Sequence, residues 1–408
     1  GVAALFPSQP VEAPPGRKMS RRFHFLVGSP AHILSERLVG NASRQLATGQ
    51  EEDEMLTARY STTRWLPALV LVGALSLAGT APVSAQAQPP AEPPDDWGPT
   101  AITYENVPYP HPVHFLDVNL RGMDHRMAYM DVAPVGQPNG QTVVLFHGMN
   151  FFAAAFRPTI QALRQEGFRV IAVDRLGYGR SSKPLIHYNL HIPARNTKAL
   201  LDELGIERAA IVGHSMGGMV ATRFASTYPE TTTHVVMVNQ IGLTDPRPGR
   251  PWTDPERVYE RVLETSYQSV LRGHVRYYPN GWKPQYLEWV KYQYGLTLSG
   301  DWPRMARIRA AQSQILYEDP VVYEWQHIAT KALVIGGAED RLVRDYPAAA
   351  RHVAEELQNA ELVIFPGVGH APAFEIPDRV HAELVRFLRS DPNEPADQGW
   401  RETDIGVR

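Results

Sequence analysis

Residues 209–218 read Ala-Ala-Ile-Val-Gly-His-Ser-Met-Gly-Gly (AAIVGHSMGG). Ala209–Val212 form a short apolar run that predicts a buried strand. Gly213-His214-Ser215-Met216-Gly217 then gives G-x-S-x-G, and Gly217–Tyr228 carries apolar residues at helical spacing. A strand that becomes a helix in so few residues holds its serine in a strained backbone conformation, and glycines on either side let the chain pass without Cβ clashes. The helix N-terminus behind the serine favours negative charge developing beside it. A bare five-residue match is weak; its place between a strand and a helix gives it weight.

The same alternation continues on both sides. Short apolar runs at Thr142–Phe146, Arg169–Val173 and His234–Val238 predict further strands, with helices over Pro158–Glu166 and Asn196–Leu204 between them. Continuous apolar strands of this kind suit a parallel sheet covered on both faces. Upstream, Val113–Leu120 and His125–Val132 predict two antiparallel strands around a turn at residues 121–124. Downstream, residues 243–328 are helix-like and rich in Trp and Tyr, after which alternation resumes at Ala332–Ile335, Tyr346–Leu357, Glu361–Phe365 and Arg379–Leu388. The pattern predicts a doubly wound α/β fold with a mostly parallel sheet and a helical cap inserted at about 243–328, over the carboxyl edge where ligands bind. The catalytic domain is expected over 88–390. The polar stretch 391–408 is expected to be a frayed tail.

The chain has 408 residues, 43% hydrophobic and 20% charged, which is ordinary globular usage. A formal net charge of −3 gives no electrostatic footprint for nucleic acid. The absence of cysteine excludes disulfides, thiolate metal sites and cysteine nucleophiles. Residues 1–54 show no sustained hydrophobic period and are expected to be a disordered or untranslated extension, with translation starting at Met55. Residues 55–87 have the layout of a secretory signal peptide: Arg59 and Arg64, then the uncharged core Leu66–Ala78, then Ala85-Gln86-Ala87 as cleavage site. That core is 13 residues long, short of the roughly 18 that span a bilayer. Ser20-Arg21-Arg22 matches a twin-arginine signal only by coincidence, and Gln88–Asp96 reads as a Pro-rich linker. The protein is therefore expected to be exported, periplasmic or secreted, without a stable membrane anchor.

A serine hydroxyl needs a base to become a nucleophile. His370, in Gly369-His370 beyond the strand at 361–365, is the candidate base. His147 is expected to tie down its own loop, His214 to point away around the elbow, and His352 to lie on a helix surface. Asp340, after the strand at 332–335, is the candidate to orient His370, with Glu339 and Asp245 as alternatives. The backbone N–H groups of Met149 and Met216 are candidate oxyanion donors, the two methionine side chains being pocket wall. Asn150, His214, Tyr286 and Trp289 are candidate pocket residues, the last two because they share a face of a helix over 282–294. No metal or organic cofactor is implied.

Taken together these segments resemble the α/β-hydrolase fold family, over about residues 113–390. His147-Gly148 resembles its oxyanion loop, Asp174-Arg175-Leu176-Gly177-Tyr178-Gly179-Arg180-Ser181 its D-x-x-G-x-G-x-S turn, and Gly213–Gly218 its elbow in G-H-S-M-G-G form. Gly337–Arg341 and Gly369-His370 stand where the family's acid and base belong, in the order Ser, Asp, His. Ser215 argues against the haloalkane dehalogenases and epoxide hydrolases, which carry aspartate at the elbow. The resemblance to carboxylesterases implies hydrolysis of a small-molecule ester through an acyl-enzyme. Lactone, amide or carbon–carbon bond hydrolysis by the same triad is the alternative, and a non-catalytic binding protein the reading from another class.

Overall fold

The computed structural model describes residues 87–397 and 400–402. The expected extension (1–54) and all but the last residue of the expected signal peptide (55–87) lie outside the described residues. Among the described residues, no helix is long and apolar enough to cross a membrane.

Strands β1 (His114–Leu120) and β2 (Met123–Val132) pair antiparallel, with Leu120 opposite Met123. The turn is shorter than the sequence suggests. Arg121 and Gly122 alone turn the chain, both at positive φ (52° and 81°), as a two-residue hairpin of matching twist requires. After β3 (Thr142–Phe146) come α1 (Arg157–Gln165), β4 (Arg169–Val173), α2 (His191–Glu203), β5 (Ala209–His214), α3 (Met216–Thr227) and β6 (Thr232–Val238). Between β6 and β7 (Lys331–Gly337) run the helices α4 (Pro255–Leu263), α5 (Tyr267–Val275), α6 (Leu287–Thr297), α7 (Trp302–Ser313) and the single turn α8 (Ile315–Glu318). The chain closes with α9 (Tyr346–Glu356), β8 (Ala360–Phe365), α10 (Pro372–Glu375), α11 (Pro377–Leu388) and β9 (Trp400–Glu402).

Among the described residues the strands form one nine-stranded sheet in the order β1-β2-β4-β3-β5-β6-β7-β8-β9, antiparallel only at the β1–β2 and β2–β4 pairs. This is an α/β-hydrolase fold with a mostly parallel sheet. β9 corrects the expectation of a frayed tail: Trp400, Arg401 and Glu402 pair with Leu362, Val363 and Ile364 of β8. Backbone pairing on an open sheet edge needs no apolar periodicity, so the polar sequence gave no sign of it.

Side-chain alternation along each central strand splits the core in two. Val144, Phe146, Ile171, Ile211, Val235 and Met237 pack on one face; Val143, Leu145, Val170, Val212, Val236 and Leu333 pack on the other, under α1 and α11. The strand after β3 lies on one side of it and β5 on the other, so the sheet has a switch point between β3 and β5. A crevice opens there at the carboxyl ends. The helical segment after β6 is fastened to the scaffold by Arg223 of α3, which pairs with Asp319 at 2.7 Å and Glu324 at 2.6 Å.

Candidate active site

Ser215 sits at the carboxyl end of β5 with φ 56° and ψ −123°. A non-glycine residue in this region is strained by about 1–3 kcal/mol and persists only where its surroundings enforce it. The enforcement is visible: the Ser215 N–H donates to Val238 O at 2.9 Å, and the Gly218 N–H returns to Ser215 O at 2.9 Å. A Cβ on Gly213 would collide with the Gly217 carbonyl, and one on Gly217 with the Phe146 carbonyl. The two flanking glycines are thus required by close backbone approach rather than by turn angle.

The loop after β3 lies directly against this serine, since a Cβ on Gly148 would stand 3.1 Å from the Ser215 Cβ. His147 holds the loop, as its sequence position suggests. Its Nδ1–H donates to Gly148 O at 2.8 Å, and its Nε2 accepts the Arg175 N–H at 3.3 Å. Burial, reinforced by the Arg175 charge, keeps this imidazole neutral, far below its usual range. Asp174 fixes the next turn, accepting from Tyr109 at 2.6 Å, the Ala153 N–H at 2.7 Å and the Arg180 N–H at 2.8 Å. Neither the Met149 nor the Met216 N–H donates a hydrogen bond among the described residues. Met216 is the first residue of α3, where an amide has no acceptor within the helix.

His370 is brought to Asp340, not to the alternatives. Its Nδ1 lies 2.7 Å from Asp340 Oδ2, both side chains being almost fully buried. A carboxylate there makes Nδ1 the donor and leaves Nε2 as the basic nitrogen. Burial alone would raise the Asp340 carboxyl, but the hydrogen bond and charge of His370, the Leu342 N–H and Asn239 together outweigh it, so it lies below its usual value. Asp245 is engaged elsewhere, with Arg247 at 2.7 Å and the Tyr323 hydroxyl at 2.7 Å.

Two residues of this site escaped the sequence reading. Asn239, fully buried just beyond β6, donates from Nδ2 to Asp340 Oδ2 at 2.9 Å and accepts the Gly337 N–H at 3.0 Å. Tyr277, just past α5, accepts the His370 N–H at its carbonyl (3.0 Å) and lays its ring 5.2 Å from the imidazole. A polar residue one step beyond a strand on the carboxyl edge was the available sign for Asn239. Tyr277 was one aromatic among many.

Ser215 and His370 line one cleft of about 670 Å³. Met149, Asn150 and Tyr277 line it too, and Asn150 Nδ2 donates to the Tyr277 hydroxyl at 2.7 Å. The other expected pocket residues do not reach it. Tyr286 is 1% exposed and stacked on Tyr278 with centroids 3.6 Å apart. Trp289 packs edge-on against Phe151 and Phe152, both at 5.8 Å. The expected single helix over 282–294 is not formed: Tyr286 ends a short 3-10 turn (Pro284–Tyr286) and Trp289 lies in the first turn of α6, and both rings turn into the aromatic core. The Met216 side chain is likewise core, against the Tyr178 hydroxyl. His214 does not point away as expected. Its Nε2–H donates to the His370 carbonyl at 2.8 Å, and burial, with the nearby His370 charge, lowers it to about 4. It buttresses the His370 backbone from behind as a neutral group. Among the described residues, no cluster of three or more His, Asp or Glu side chains is arranged to hold a metal ion.

This frame has known relatives. A family model described as "Alpha/beta hydrolase family" matches residues 143–383. A crystal structure of a probable hydrolytic enzyme from Pseudomonas aeruginosa PAO1 is 36% identical, covers 72% of this chain and 99% of its own, and superposes with a TM-score of 0.69. RutD of Caulobacter sp. strain K31, provisionally named a carbamate hydrolase, is 28% identical over 258 residues, covering 62% of this chain and 91% of its own. An esterase structure from Exiguobacterium antarcticum, at 19% identity and TM-score 0.55 over 65% of this chain and 96% of its own, shares the fold. With the family match spanning more than half its length, the chain is a hydrolase and belongs to the alpha/beta hydrolase family.

Proposed function

We propose that the protein is a serine hydrolase of carboxylic esters acting through an acyl-enzyme. The observation that carries this reading is the buried 2.7 Å pair of His370 Nδ1 and Asp340 Oδ2, in a cleft shared with a serine on a strained elbow. Ser215 Oγ attacks the carbonyl carbon as its proton passes to His370 Nε2. Asp340 holds the imidazole in the tautomer with Nδ1 protonated and stabilises the imidazolium. The Met149 and Met216 N–H groups receive the oxyanion, as fixed donors aimed at the charge that develops. Collapse of the tetrahedral species expels the alcohol with the proton from His370, and water repeats the cycle on the acyl-enzyme.

The test is covalent labelling of Ser215 by a fluorophosphonate together with a panel of nitrophenyl esters, lactones, anilides and diketones. Labelling should vanish in Ser215→Ala. Ester turnover should fall on the order of 10⁴-fold or more in Ser215→Ala and in His370→Ala, and hardly further in the double variant, because the two act as one unit. Multiplicative losses would refute the assignment. Turnover of lactones or diketones without linear esters would move the same residues to the alternative chemistry.

A further inference from the structure

The cleft beside Ser215 is walled mainly by apolar groups such as Phe151, Ile241, Leu243 and Leu316, yet three arginines also line it: Arg250, Arg276 and Arg344. They converge from separate segments: the loop after β6, the C-terminal end of α5 and the loop leading into α9. Among the described residues, no aspartate or glutamate lines the same cleft. Arg276 is steadied by a 2.8 Å bond from its guanidinium to the Arg341 carbonyl. Arg250 and Arg344 make no ion pair or hydrogen bond among the described residues. The contrast lies three residues away: Arg247, in the same loop as Arg250, is held by Asp245 at 2.7 Å.

Three unneutralised guanidinium groups around one concavity raise its potential and draw anions into it. A guanidinium presents paired donors that match a carboxylate or a phosphate, and the mutual repulsion of the three is relieved when an anion arrives. We propose that the substrate is an ester with an anionic end, a carboxylate or phosphate separated from the scissile carbonyl by an apolar segment, and that Arg250, Arg276 and Arg344 receive that end. The inference rests on the ester-hydrolase reading above and names its substrate class.

The experiment compares, on the full chain, p-nitrophenyl valerate with mono-p-nitrophenyl glutarate and with the matching ester ending in a phosphonate. Wild-type kcat/KM should favour one or both anionic esters, and the better of the two identifies the anion. In Arg250→Gln/Arg344→Gln the anionic-to-neutral ratio should fall about 10-fold, a modest figure because the side chains are exposed and the pairs screened. The loss should appear in KM rather than kcat, as for an interaction made equally in the ground and transition states. Raising salt to about 1 M, where the screening length is about 3 Å, should erase the wild-type preference. Arg344→Glu should reverse it. A wild-type ratio at or below one for both anionic esters, or a ratio that the double variant leaves intact, would overturn the proposal while leaving the esterase reading standing. Failure of that reading is seen separately, as absence of fluorophosphonate labelling and of turnover on every ester. Calorimetric binding of monomethyl glutarate to Ser215→Ala, against methyl valerate, reads the anion site without turnover: equal affinities would refute it.

Discussion

Asn239 offers the sharpest test of how the His370–Asp340 pair is held. It is fully buried, at φ 41°, and spends its amide on both neighbours at once: Nδ2 on Asp340 Oδ2 and Oδ1 on the Gly337 N–H. Asn239→Ala strands the Gly337 N–H without an acceptor, at a cost of about 1–3 kcal/mol. A Cβ without a local hydrogen bond at this left-handed φ adds roughly 1–2 kcal/mol. Asn239→Gly suffers the first loss but not the second, so it should be the more stable of the two by about 1 kcal/mol or more. Both should lose about 10-fold in kcat, the equivalent of roughly 1.4 kcal/mol in aim of the carboxylate. That is well short of removing the charge itself, which Asp340→Asn should place at about 10²–10⁴-fold. KM should hold, because Asn239 does not line the cleft. Thermal unfolding by circular dichroism gives the stability order, and steady-state hydrolysis of p-nitrophenyl acetate gives kcat and KM. A folded Asn239→Gly protein with kcat within twofold of wild type would refute the argument that Asn239 positions Asp340.

Three further outcomes follow from particular contacts. Trp289→Ala should destabilise the fold by about 3–5 kcal/mol, as for a large ring removed from a core, while the substrate ranking on a set of nitrophenyl esters stays that of wild type; a changed ranking at unchanged stability would return Trp289 to the pocket. Burial, only partly offset by the Gly369 N–H and Asn280, pushes the Glu375 carboxyl up to about 7. The native fold then holds that proton more tightly than the unfolded chain, so the group's stabilising contribution is full below about pH 4.5 and is lost as pH rises toward about 7. Glu375→Gln should flatten the fall of Tm across that window, and an unchanged slope would refute it. Export with cleavage near Ala87 should give a mature N-terminus there by intact mass from the native host; one at or before Met55 would refute the signal-peptide reading.

The parts legible in sequence are those where one element's pattern is self-sufficient. The strands β3 to β8 were readable because each is a local apolar run, β1 and β2 because two strand-like stretches flank a turn, and the elbow because strand, G-x-S-x-G and helix are contiguous. Element ends were less so: β2 starts two residues earlier than expected because Arg121 and Gly122 carry the whole turn. β9 was invisible because its partner, not its sequence, makes it a strand. The His370–Asp340 pairing was legible through motif order, whereas Asn239 belongs to no motif and is defined only by what β7 brings beside it. Helical spacing put Tyr286 and Trp289 on one face of a single helix, whereas a 3-10 turn ends at Tyr286 before α6 begins, and periodicity does not state which neighbour a side chain meets. His214 was misjudged for a related reason. The group its ring meets, the His370 carbonyl, comes from a loop 156 residues further along the chain.

That last contact changes how the cap should be understood. The His370 backbone is gripped from two directions, its N–H by the Tyr277 carbonyl and its carbonyl by the His214 imidazole. Tyr277 reaches further: its hydroxyl accepts from Asn150, which follows Met149 in the loop after β3, and Gln293 of α6 donates from Nε2 to Asn150 Oδ1 while its Oε1 accepts from His274 Nε2 of α5. One stretch of the helical segment therefore touches His370, through its main chain, and the loop of Met149 and Asn150, through a side chain. Backbone hydrogen bonds of this kind fix position without depending on side-chain identity, whereas the Asn150–Tyr277 bond depends on it. The two roles separate experimentally. Tyr277→Phe keeps the carbonyl that holds His370 and removes only the tie to Asn150, so its effect belongs to the loop of Met149 and Asn150 and not to His370.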